Sequence, residues 1–164
     1  MQLFAGCSKS DADPAILPGG SNTDNNKAVG ASAKELLTAG KPKLVIEINY
    51  MPGYQLQSSS VNNLITFFTT YLNKPGGVQV VEKQVEAAIN DPLSITDLAL
   101  IEQKNRTAFN SESQVAIYFL VTNGGYSTPN VLGVAYRNTS MCLFGKTIQS
   151  LWGRRCLGLQ KRSE

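Results

Sequence analysis

Along residues 43–49 the side chains alternate, Leu44, Ile46 and Ile48 against Val45, Glu47 and Asn49, and this period of two predicts a strand with one strongly apolar face. Tyr50-Met-Pro-Gly53 ends it. From Ser60 the period lengthens. Val61, Leu64, Ile65, Phe68, Tyr71 and Leu72 follow the i, i+3, i+4, i+7 rule of an amphipathic helix, with the serines at 58–60 as caps and Asn73-Lys-Pro-Gly-Gly77 as a stop. Val78–Glu82 reads as a second strand, so strand, helix and strand make a crossover that favours a parallel pair. Asp91-Pro92 interrupts the chain. Ser94 with Asp97 three residues on is a capping-box variant for a helix turning Ile95, Leu98 and Ile101 inward. Val115–Val121 is an unbroken apolar run, the pattern of a central strand buried on both faces. After the Asn123-Gly124-Gly125 turn, Val131–Tyr136 and Ser140–Phe144 are strand candidates joined by Arg137-Asn138-Thr139, a link of hairpin length. The predicted order β-α-β-α-β-β-β is that of an α/β fold, a twisted mixed sheet of about five strands with two packed helices.

Outside this segment the pattern changes. Residues 8–42 hold Pro14, Pro18-Gly19-Gly20, Asn25-Asn26 and Gly30 without a sustained apolar period, and only Ala33–Ala39 could form a helical turn, so the span reads as a flexible tether. Met1–Cys7, a small apolar run ending in Ala-Gly-Cys, resembles the lipobox of bacterial lipoproteins, in which a cysteine takes up diacylglycerol. That resemblance makes residues 1–7 a residual signal peptide, Cys7 the lipidation site and the bacterial cell envelope the location. The membrane would be reached through this lipid anchor. Cys142 and Cys156 have no neighbour at metal-ligand spacing, and Cys142 lies in an apolar run, where a cysteine is a small buried hydrophobe.

Composition narrows the function classes. With 164 residues, 42% hydrophobic and 16% charged, the chain suits one folded domain. Its net charge of +3 belongs wholly to residues 151–164, because Lys/Arg and Asp/Glu cancel over residues 1–150. A nucleic-acid partner calls for a basic patch on the folded body, so that class is set aside. There is no histidine, which removes Ser-His-Asp and Cys-His nucleophile systems and His-ligated zinc. Glu82, Glu86, Asp91, Asp97 and Glu102 show no acid/base pairing and read as solvated faces.

A collinear set of segments then stands out: Lys43–Gly53, Leu72–Gly77, Asn105-Arg-Thr107 and above all Asn130–Ser140 with Leu143-Phe144 and Lys146-Thr-Ile148. Together they resemble the amino-terminal part of bacterial lipoprotein-type zinc metalloproteases, which are metzincin-like zincins. The resemblance covers about residues 43–150. It implies a zincin-like upper subdomain and, in the complete family, zinc held by a His-Glu-x-x-His helix that hydrolyses a peptide bond. It also places Val131, Leu132, Gly133, Val134, Ala135 and Tyr136 on an edge strand against which a peptide or protein substrate pairs. Gly133 either lets a peptide backbone approach or relieves packing. No catalytic or metal-ligating residue is implied within this chain, and no cofactor. Residues 151–164 leave the family pattern, as expected of a frameshifted or prematurely ended reading frame, or else of a basic tail used against anionic lipid or a partner. The chain is therefore expected to be the non-catalytic amino-terminal portion of an envelope metallopeptidase, with Val115–Val121 and Ser140–Phe144 partly uncovered. The alternative is a stand-alone lipid-anchored surface module that binds extended peptides or a protein partner.

Overall fold

The segments of period two come together side by side. The computed structural model describes residues 24–151 and the backbone of Ser8–Lys9. Its strands are β1 (Ser8–Lys9), β2 (Lys43–Tyr50), β3 (Val78–Gln84), β4 (Gln114–Thr122), β5 (Gly133–Arg137) and β6 (Ser140–Phe144). Its helices are α1 (Ala33–Leu37), α2 (Ser58–Tyr71), α3 (Ile95–Asn105) and α4, over residues 145–151. The lateral order is β1-β5-β6-β4-β2-β3. β3, β2, β4 and β6 run parallel, β5 is antiparallel to β6, and β1 is parallel to β5. The protein is thus α/β with a mixed sheet, in which β2 to β6 make up the body and β1 adds two residues at one side.

Crossover handedness sets the layers. The unit β2–α2–β3 steps to one side, and β3–α3–β4 steps back past β2. Right-handed connections then oblige α2 and α3 to lie on opposite faces. Leu64, Phe68 and Leu72 from α2 and its end pack on Leu44, Ile46, Ile48, Val115 and Ile117. On the other face Ile95, Leu98 and Ile101 of α3 pack on Tyr118, Leu120, Tyr136, Cys142 and Phe144. β4 lies between the two clusters, which is why its apolar run is continuous.

Four expectations change. The α3-facing side of Val115–Val121 and Ser140–Phe144 is covered, with Tyr118, Leu120, Cys142 and Phe144 all 0% exposed, while Phe119, Met141 and Leu143 on the other side keep partial exposure. Met51, Val85, Leu93 and Leu98 fill that side. Tyr71 is 70% exposed, because Phe68 and Leu72 take the sheet-facing line and Tyr71 sits about 100° round the helix from Leu72. The serines at 58–60 form the first turn of α2 instead of capping it, since the cap position is Gln57. Residues 24–42, assigned by composition to the tether, pack against the body. Asn25 and Ser32 are buried, Ser32 N–H donates to Asn138 Oδ1 at 2.8 Å, and the Lys74 ammonium donates to the carbonyls of Glu35, Thr38 and Lys41 at 2.6, 2.8 and 2.8 Å. This docking uses polar groups, so it leaves no hydrophobic period in the sequence.

Candidate functional site

Residues 131–136, expected to form a peptide-pairing edge, lie at and within β5 of the β5–β6 hairpin. Val131 and Leu132 precede the strand, and Gly133, Val134, Ala135 and Tyr136 lie within it. Phe144 N–H donates to Leu132 C=O at 2.8 Å, which fixes the alternation of the antiparallel pair. Val134, opposite Cys142, then bonds inward to β6, while Gly133 and Ala135 turn their backbone groups outward. The register shifts between Ala135 and Arg137, so a bulge at Tyr136 ends this regular edge. Among the strands of five or more residues β5 is outermost on its side, and β1 pairs with it only beside Val134 and Ala135. The glycine answers to packing. A Cβ at Gly133 would stand 2.7 Å from Cys142 O and 3.1 Å from a Leu143 methyl, so it is β6, the strand already present, that requires the missing side chain.

Behind the hairpin lies a buried charged cluster. Glu102, read as solvated, is 1% exposed, and Arg106, Arg137 and Ser140 are buried around it. Glu102 Oε1 accepts from Arg106 Nη1 at 2.8 Å, Ser140 Oγ at 2.7 Å and Asn25 Nδ2 at 2.9 Å. Its Oε2 lies 3.6 Å from Arg137 Nη1. Arg106 also donates to Ala108 O at 2.7 Å and Ala116 O at 3.0 Å, with its guanidinium 5.0 Å from the Phe109 ring centre. Glu47, on the α3-facing side of β2, accepts the N–H groups of Thr107 and Ala108 at 2.8 and 2.6 Å. These bonds tie α3, β2, the hairpin turn and residue 25 into one unit. The Tyr136 phenol, on the same face, is held protonated well above its ordinary range by burial and then by the Glu102 charge.

The zinc implied by the resemblance does not fit these residues. The sequence has no imidazole, and among the described residues no three His, Cys, Asp or Glu side chains converge. Cys142 is fully buried, and burial pushes its thiol well above the usual range, away from the thiolate a metal would need. The Glu47 and Glu102 carboxylates are engaged by internal donors. Cys7 and residues 152–164 lie outside the described residues, and among those described no helix is long and apolar enough to cross a membrane.

Fold and hairpin together define a class, an α/β protein whose mixed sheet carries one antiparallel strand toward one edge. Comparison with protein-family models, characterised proteins and solved structures finds no match.

Proposed function

We propose that residues 43–150 are the non-catalytic, sheet-bearing portion of a cell-envelope zinc metallopeptidase, and that the outer side of β5 is the rim along which an extended peptide pairs. The observation that carries this reading is the outward alternation of Gly133 and Ala135 on an antiparallel strand near the sheet edge. Such backbone groups hold a peptide main chain with little regard to its sequence. The placement of the resembling segments is consistent with it. Lys43–Tyr50 is β2, Leu72–Gly77 joins α2 to β3, Thr107 engages Glu47, and Asn130–Ser140 leads into β5 and its turn. Positioning of peptide is the role assigned to this chain; the metal and its imidazoles are not supplied by these residues. Lipidation at Cys7 would hold the rim at the envelope.

A second reading, the stand-alone lipid-anchored module, draws support from the covered α3-facing side of β4 and β6. Both readings use the same rim. The test is a titration of the isotope-labelled full chain with unstructured peptides of about ten residues, followed by amide shifts. Shifts confined to Gly133–Ala135 and their neighbours are expected. Shifts only along β3, or none at roughly millimolar peptide, reject the rim. Sequencing the DNA that follows the Glu164 codon separates the readings: the peptidase reading expects a His-Glu-x-x-His helix there in one of the frames, and its absence from all frames leaves the module.

A further inference from the structure

We infer that Ser8–Lys9 is a self-supplied strand that caps the outer edge of β5 and has to leave before an extended peptide pairs there, a consequence that rests on the rim reading above. Ser8 stands beside Val134 and Lys9 beside Ala135, in parallel register. That is the stretch where the alternation set by the Leu132–Phe144 bond turns main-chain groups away from β6. An unpaired sheet edge recruits a strand from whatever source lies nearest, and here the source is the same chain.

The pairing suits a removable cap. It spans two residues, so main-chain bonds to β5 are few and the segment contributes no long ladder of its own. Ser8 and Lys9 are polar, so no apolar period announces the strand in the sequence. Being covalently joined to its site, the segment competes intramolecularly with a peptide in trans. The ligand class that β1 stands in for is an extended main chain presenting alternating N–H and C=O groups.

The experiment uses the full chain and two double variants. Ser8→Pro with Lys9→Pro removes both N–H donors from the segment, whereas Ser8→Ala with Lys9→Ala keeps the backbone intact. Hydrogen exchange is followed at the Ala135 amide, with Val115–Val121 as the control for an intact core. Binding is measured with a fluorescent synthetic peptide of residues 4–13 carrying Cys7→Ser. In the proline variant Ala135 should lose about tenfold in protection, and the peptide should bind about tenfold more tightly; the alanine variant should behave as the parent does. Unchanged Ala135 protection in the proline variant overturns the cap, and so does an alanine variant that matches the proline one. Lost protection with equal peptide affinity for parent and proline variant overturns the competition. Lost protection with no peptide binding to either protein leaves the cap standing and rejects the rim reading instead.

Discussion

Glu102 shows how one carboxylate can organise a core. A charge in a protein interior is tolerated only when paired and hydrogen-bonded, and this one faces Arg106 and Arg137 while Ser140 and Asn25 donate to it. Removing it takes away the carboxylate that faces both guanidinium groups, in a region where all three ionic side chains are nearly inaccessible. Glu102→Ala should therefore cost about 3–5 kcal/mol in urea unfolding, with Glu102→Gln costing less because it keeps the shape and one acceptor. A loss below about 1 kcal/mol for the alanine variant, the range of a surface pair, would show that the cluster is solvated. The burial was legible in principle. Leu98 and Glu102 are four apart, so the stripe that turns Leu98 inward turns Glu102 inward too, and Arg106 is one further step along it. The general rule that acidic residues stay at the surface concealed this.

Elements with a hydrophobic period were legible, and those held by polar or main-chain groups were not. The periods predicted β2, α2, β3, α3, β4 and the β5–β6 hairpin in their observed order. β1 and the docking of residues 24–42 escaped because main-chain pairing and polar side chains leave no periodic trace. α3 also kept its predicted start. Asp97 N–H donates to Ser94 Oγ at 3.1 Å and Ser94 N–H donates to Asp97 Oδ2 at 2.8 Å, the reciprocal box. Bonds from the Ser94 hydroxyl, then the Ser94 N–H, and from Asn90 hold the Asp97 carboxyl below its usual range. A carboxyl depressed in the folded state contributes stability above its unfolded value, and that contribution is lost as pH falls through the folded one. Asp97→Ala should accordingly cost about 0.5–1 kcal/mol near neutral pH, the low end for a partly exposed cap. The difference from the parent should shrink as the pH drops below the ordinary carboxylate range. Denaturation midpoints of both proteins across that range check the sign, and a difference that grows on acidification would contradict it.

The two sheet faces bear on how the protein behaves as a body. If α3 and the loops around Met51, Val85 and Leu93 did not close over β4 and β6, a sheet this apolar would present a wet face. It would bind hydrophobic dyes and unfold over a broad range. In the structure that side is filled, with Tyr118, Leu120, Cys142 and Phe144 inaccessible and the charged cluster tying α3 to the hairpin turn. On the opposite face α2 packs over Leu44, Ile46, Ile48, Val115 and Ile117, with Phe119 and Leu143 beside them only partly buried. Of the large apolar side chains left in solvent, Leu37, Phe67, Tyr71 and Leu100 lie on helices, Ile89 on the loop before α3 and Val81 on β3, and none lies on β4 or β6. Cooperative unfolding follows, because each layer depends on the shared central strand and neither can dissolve alone. The full chain should thus melt in one sharp transition, with near-UV dichroism and tryptic susceptibility changing together and little ANS fluorescence below the midpoint. Strong dye binding at low temperature, with near-UV signal lost ahead of far-UV signal, would mean that the β4–β6 face opens in solution, and would return the protein to the uncovered half-domain that the family resemblance implied.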